Sequence, residues 1–160
     1  AQENDIFYWL GVAFEKLNDS NRAKEYWENA ATGLSEPAAA IFYNDQQPDK
    51  IFYQGLALLK LNRKAEADLR FEKLVNYAKE HINDHVSIDY FAVSLPDLTI
   101  WEDDLDKRNK IHCLYMQGLG YLGLKQIDKA AESFDEVLAI EKGHLGVVVH
   151  QKLLETTNVG

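Results

Sequence analysis

The chain has few of the residues that would crosslink it or bind nucleic acid. Among its 160 residues there is one cysteine, Cys113, which excludes an internal disulfide and is typical of a reducing compartment. Acidic residues outnumber basic ones by 26 to 17, so the net charge is −9. The densest basic run, residues 107–110, directly follows an acidic run. A phosphate backbone would be repelled, and we expect no nucleic-acid partner.

The sequence also has no long apolar run. None approaches the roughly 20 residues that a membrane span needs, and the opening AQENDIF is neither basic nor apolar as a leader would be. We therefore expect a cytoplasmic chain with no membrane partner. The only methionine is Met116, which suggests a piece of a longer polypeptide. Three prolines, at positions 37, 48 and 96, all fall between predicted helices, where they break none.

One pattern does occur three times. A glycine is followed, at the same offsets, by a large apolar residue, an alanine and a second large apolar residue. The three sets are Gly11, Phe14, Ala23 and Trp27; Gly55, Leu58, Ala67 and Phe71; Gly118, Tyr121, Ala130 and Phe134. The glycine lets two helices approach closely, and the large residues fill the space beside it. Because a single helical hairpin cannot cover its own apolar face, the hairpins should stack into one core.

This pattern resembles the tetratricopeptide repeat, a helix-turn-helix unit of about 34 residues. The resemblance implies an all-α fold, an α/α right-handed superhelix of three irregular tetratricopeptide-like helical hairpins with insertions and a C-terminal capping helix. The chain departs from the family in its wider glycine spacing and in Ser35, Lys79 and Lys142, which stand where the family has proline. We predict a single domain over 1–160. Its parts are hairpins at 4–35, 48–82 and 108–142, insertions at 36–47 and 83–107, and a cap at 144–156.

A second resemblance is carried by IFYQGLALLKL, YFAVSLPDL and EDDLDKRNKIHC. These stretches are similar to the C-terminal helical region of large bacterial proteins that have an N-terminal β-sandwich region of uncharacterised function. The resemblance implies a larger polypeptide around this domain.

The candidate binding site is a column along the first helix of each hairpin. Residues three before and one after each glycine face away from the second helix, toward the concave side that the resemblance implies. The column consists of Tyr8, Val12, Phe52, Leu56, Tyr115 and Leu119, with Lys16 and Lys60 as a polar rim. It would suit a peptide or a partner helix. The alternative is that the insertions fold over this column and bury it. An acidic chaperone tail is not expected, because the rim holds only two cations.

Three clusters contain residue types that can bind a metal or act in catalysis, but we predict no catalytic residue, metal or cofactor from them. The acidic run Glu102–Asp106 lacks the glycine and spacing of a calcium loop. His81 and His85 have no third zinc ligand in view. Cys113 and His112 are adjacent, and adjacent helical residues point about 100° apart, which excludes a thiol–imidazole pair. Cys113 is predicted to be a buried small residue.

We therefore predict a non-catalytic protein-interaction scaffold that binds a peptide, a partner helix or a neighbouring domain. The alternative is an accessory helical domain of a larger, carbohydrate-directed enzyme, to which residues 102–106 lend side chains. Self-association through the same groove is a third possibility. The sequence does not determine the partner or the oligomeric state.

Overall fold

The chain was analysed as a computed structural model that describes residues 3–39, 47–86 and 98–158. All regular secondary structure in these ranges is helical, which confirms the all-α prediction there. The helices are α1 (Asn4–Lys16), α2 (Ser20–Ala30), α3 (Pro48–Lys60), α4 (Lys64–His81), α5 (Leu98–Gly123), α6 (Ile127–Ile140) and α7 (Leu145–Asn158). No helix in the described ranges is long and apolar enough to cross a membrane.

Three hairpins pack in chain order: α1 with α2, α3 with α4, and α5 with α6. The second hairpin packs on the first, since α3 contacts both α1 and α2. The third packs on the second through contacts of α5 with α3 and α4, and α7 lies against α5 and α6. Consecutive hairpins thus bury each other's apolar faces, as the repeated pattern requires.

The same tight reversal joins the two helices of every hairpin. Asn18, Asn62 and Lys125 adopt left-handed backbone angles, with φ of 59°, 59° and 60°. In each case the next residue donates its N–H to a carbonyl five positions back, as Asp19 does to Phe14 at 2.9 Å. This arrangement satisfies carbonyls at the helix end and turns the chain within two residues.

The three pattern glycines lie at the contact inside their own hairpins, as predicted. A Cβ added to Gly11 would overlap the Trp27 indole, and one added to Gly55 or Gly118 would overlap the ring of Phe71 or Phe134. The ring sixteen positions after each glycine therefore occupies the volume that a side chain on the glycine would need. Each hairpin closes by the same contact.

The first helix of the third hairpin is longer than predicted. It begins at Leu98. From the sequence we predict an insertion at residues 83–107 and a hairpin that starts at about residue 108. The reason is that neither proline nor glycine occurs between Leu98 and Gly118, so nothing in this stretch breaks the helix. Residues 40–46 of the insertion predicted at 36–47, and residues 87–97 of the insertion predicted at 83–107, lie outside the described residues.

Candidate functional site

A cleft of about 600 Å³ opens where the first helices of the three hairpins meet α7. Its volume falls in the range typical of ligand sites, about 300–1,000 Å³. The side chains that matter below are Asp5 and Trp9 from α1, Asp49 and Tyr53 from α3, Tyr115 from α5, Glu141 before α7, and His150 from α7.

His150 joins three helices at the floor of this cleft. Its Nδ1 lies 2.6 Å from the carbonyl oxygen of Gly146 and 3.2 Å from the Tyr115 hydroxyl. A carbonyl only accepts, so Nδ1 carries the proton, and in the neutral ring Nε2 accepts from the Tyr53 hydroxyl at 3.1 Å. Burial lowers the pKa of His150, which favours this neutral form. The ring thereby connects α7 to both α3 and α5.

Trp9 and Tyr53 extend the floor toward α1. The rings of Trp9 and Tyr53 meet edge-on with their centroids 6.2 Å apart, and the centroid of the Tyr8 ring lies 5.5 Å from that of Tyr53. Burial and the neighbouring Tyr53 raise the pKa of Tyr8 to about 12. The side chains of Trp9, Tyr53, His150 and Tyr115 therefore form one continuous floor of aromatic rings and polar groups.

A glycine lets α7 lie directly on α5. A Cβ on Gly146 would be 2.6 Å from Cζ of Tyr115, so only glycine permits this approach. Gly146 and His150 are one turn apart on α7, so the contact of the Gly146 carbonyl with His150 is made within that helix. The position of α7, and with it one wall of the cleft, depends on this small residue.

The cleft has an acidic character. Asp5 forms an ion pair with Lys50, while Asp49 accepts the backbone N–H of Lys50 at the first turn of α3. Burial raises the pKa of Tyr115, and the charge of Asp49 raises it further. Glu141 also lines the cleft, and Arg108 from α5 brings one positive charge to the same lining. Because the carboxylates outnumber this guanidinium, a positive group would enter the cleft more readily than a negative one.

Half of the predicted binding column is not exposed in the structure. Phe52 and Leu119 are fully buried and Tyr115 is nearly so, which contradicts their placement on an open groove. Phe52 and Tyr115 are covered by α7, since the centroid of the His150 ring lies 5.6 Å from that of Phe52 and 6.0 Å from that of Tyr115. Leu119 is buried in the main hydrophobic core. The covering element is α7, which the sequence placed at the end of the stack.

The rest of the column is more accessible. Tyr8, Val12 and Leu56 are half-buried, whereas Lys16 is exposed. Lys60 is also exposed and donates to Glu15 at 2.6 Å. Of the eight predicted residues, only Tyr115 is among those that line the cleft.

A repeated sequence pattern could have predicted the part of the cleft that α1 and α3 form. The stretches DIFYW (residues 5–9) and DKIFY (residues 49–53) each place an aspartate four positions before an aromatic residue. Both aspartates stand six positions before a pattern glycine, and both aromatic residues stand two before it. Because four residues make about one helical turn, each pair shares a face. The contributions of His150 and Glu141 have no such signal.

The adjacent residues Cys113 and His112 make separate contacts. Cys113 is fully buried, its Sγ lies 3.7 Å from Oδ1 of Asn109, and burial raises its thiol pKa to about 11. The prediction of a buried small residue is thus confirmed. His112 instead contacts the Ala38 carbonyl through Nε2 at 2.8 Å.

The predicted zinc pair separates in the structure. His81 contacts Asp84, and His85 contacts Asp106, the last residue of the acidic run. The described part of the chain holds no group of three or more ligands suited to a metal ion.

Comparison with known proteins gives one family. The family model of the tetratricopeptide repeat matches residues 5–32 and 112–140, which are the first and third hairpins. No solved structure matches the chain. Tetratricopeptide repeats generally mediate protein–protein interaction and are typically non-catalytic scaffolds. The two matches, together with the helical architecture, support a tetratricopeptide-like family for this chain.

Proposed function

We propose that this chain is a non-catalytic protein-interaction module whose cleft binds a short basic segment of a partner protein. In this proposal the three hairpins wind as a right-handed superhelix, α7 caps it, and the cleft lies on the concave side. The cytoplasmic location and the membership in a larger bacterial polypeptide stay predictions.

The observation that carries the proposal is the combination of aromatic faces with carboxylates in one concave site. A lysine or arginine side chain gains from the faces of Trp9 and Tyr53 by cation–π attraction. It gains further from the carboxylates of Asp49 and Glu141, which line the cleft together with a single arginine, Arg108. Asp5 is already engaged with Lys50, so it contributes less. The overall charge of −9 favours the approach of such a segment over long distances.

The mouth of the cleft is apolar and suits a neighbouring aliphatic side chain. Leu145 and Val149 project from α7 beside the cleft, and both are exposed. Peptide sites commonly pair such an apolar contact with a few placed polar groups. We therefore propose a ligand that carries a basic residue next to a large aliphatic one.

The residues of the predicted column have three different roles in this proposal. Tyr115 contacts the ligand directly, whereas Phe52 and Leu119 hold the floor in place from beneath. Tyr8, Val12 and Leu56 extend the site along α1 and α3. Lys16 and Lys60, at the C-terminal ends of α1 and α3, bind a more acidic part of the same partner beyond the cleft.

A peptide array tests the proposal. Decapeptides carry an arginine–leucine pair that moves along a neutral background, and a matched set carries glutamate in place of the arginine. We expect binding of the first set only, because the cleft carboxylates attract the arginine and repel the glutamate. The Asp49→Asn and Glu141→Gln substitutions should each weaken binding about 5- to 20-fold, since each removes one charge-assisted contact.

The control is Glu136→Gln, an exposed carboxylate on α6 outside the cleft. It changes the net charge by the same amount and should leave affinity nearly unchanged. Equal weakening by all three substitutions would show a non-specific charge effect. Binding of the glutamate set, or of neither set, would refute the proposed ligand.

A further inference from the structure

An exposed apolar stripe runs along the outward face of α1. Ile6, Leu10 and Leu17 are 50%, 37% and 72% exposed, and Ala13 lies between them. Their spacing places all four on one side of the helix, over a length of about 17 Å. A contiguous apolar face of this kind marks an interaction site more often than a solvated surface.

The equivalent face of α3 shows what covers such a stripe. Counted from the pattern glycines, Gln54 and Ala57 occupy the places of Leu10 and Ala13, and both are 0% exposed. Ala57 packs in one cluster with Trp27 and other residues of α2. The first hairpin, and its second helix in particular, covers this face.

Polar contacts complete that covering. The Gln54 amide donates to the carbonyl oxygens of Thr32 and Leu34, just beyond α2, at 3.2 and 2.8 Å. In α1 the same place holds Leu10, which needs no such acceptor. The contact on α1 would therefore be purely apolar there.

The face of α5 repeats the arrangement. Gly120 stands at the place of Ala13 and Ala57. A Cβ added to it would lie 2.6 Å from Cγ2 of Val75 and 2.7 Å from the backbone oxygen of Phe71, both on α4. In both internal cases, the second helix of the preceding hairpin crosses at this small residue.

We propose that the exposed face of α1 docks a further helical hairpin of the same kind, stacked ahead of α1 as the first hairpin is stacked ahead of α3. Its second helix crosses α1 at Ala13. Large apolar residues one turn apart on that helix, like Phe71 and Val75 on α4, fill the stripe between Ile6, Leu10 and Leu17. This surface is separate from the cleft, and the proposal does not depend on the ligand proposed there.

A fusion tests the proposal with the chain's own parts. A second copy of residues 108–144 is placed directly before Asn4 of the otherwise complete chain. The connection at 141–144, which leads α6 into α7, then leads the added α6 into α1. We expect the amide hydrogens of α1 to exchange at least about 10-fold more slowly in the fused chain, because a covered helix opens less often.

Matched substitutions locate the contact. Leu10→Glu and Leu17→Glu place a charge where the covered helices carry none, and they should abolish the added protection in the fused chain and lower its Tm, while changing the Tm of the unfused chain little. Leu69→Glu, at an exposed leucine of α4, is the control and should have the same small effect in both chains.

Two results would overturn the proposal. One is unchanged exchange of α1 in a fused chain whose added helices are folded by circular dichroism. The other is a concentration-dependent dimer of the unfused chain, seen by light scattering and abolished by Leu10→Glu. That dimer would assign the face to a second copy of this chain instead.

Discussion

Replacing Gly55 by alanine should destabilise the chain, although alanine is the better helix former. Alanine in a helix interior is favoured over glycine by about 1 kcal/mol. Against this, the new methyl group would overlap the Phe71 ring, which is fully buried. The ring cannot retreat, because a Cβ on Gly123 would overlap its other side. Phe71 is thus held between two glycines of neighbouring hairpins.

The expected magnitude follows from these opposing effects. Overpacking a dense core costs about 1–3 kcal/mol, and a Cβ that would overlap Cε1 of a fully buried ring places this change in the upper half of that range, about 2–3 kcal/mol. The helix preference offsets about 1 kcal/mol of that. The net loss in the free energy of unfolding should be about 1–2 kcal/mol. Urea unfolding followed by circular dichroism at 222 nm measures it. Gly143→Ala is the control, since a Cβ there meets nothing within 4 Å, and should change stability by less than about 0.5 kcal/mol.

A double mutant checks the cause. Phe71→Leu leaves room beside Gly55, so combining it with Gly55→Ala should cost less than the sum of the two single changes by about 1 kcal/mol. An alanine variant as stable as the parent would refute the reasoning, as would strict additivity. Either result would mean that the glycine is not needed for close approach of the helices.

The remaining predictions concern a backbone angle, a titration and a thiol. Lys125→Gly should stabilise the chain by about 1 kcal/mol in thermal unfolding, because φ of 60° is strained for lysine but not for glycine, whereas Lys125→Ala should bring no gain. Burial lowers the pKa of His150 from its ordinary 6.5, so the unfolded chain binds more protons just below that pH. Stability should therefore fall as pH drops from 7.5 to 5.5, and urea titrations of His150→Asn should show a weaker fall; an unchanged slope would exclude His150 as its source. Because burial raises the Cys113 pKa to about 11, its reaction with a thiol reagent at pH 8 should be at least about 100-fold slower in the native than in the unfolded chain, and comparable rates would show an accessible thiol.

Much of the fold could be predicted from the sequence because its signals are local. Gly11, Gly55 and Gly118, with a ring sixteen positions after each, mark close helix contacts at fixed offsets, and the structure shows those contacts. The hairpin turns follow the same local logic. Even Lys125, which is unfavourable in a left-handed turn, adopts the conformation of its two asparagine counterparts.

The site was harder to predict because it depends on where α7 lies. The burial of Phe52 and Leu119 arises from packing between elements far apart in the chain, and no local pattern reports it. His150 is a clear case: it contacts Tyr53, almost a hundred positions away, through a ring whose role depends on its tautomer. The aspartate and aromatic pairs on α1 and α3 could have been recognised in the sequence. Their aromatic residues lie one position along the helix from the column that was predicted.

The indole N–H resonances give the most direct test of ligand binding in the cleft. The chain has three tryptophans: Trp9 in the cleft, Trp27 buried inside the first hairpin, and Trp101. A ¹H–¹⁵N spectrum, assigned with Trp9→Phe, is recorded during titration with the best arginine–leucine peptide. We predict a saturable shift of the Trp9 signal, because the Trp9 side chain lines the cleft, while the Trp27 signal stays fixed. Binding that leaves Trp9 unmoved would contradict this prediction.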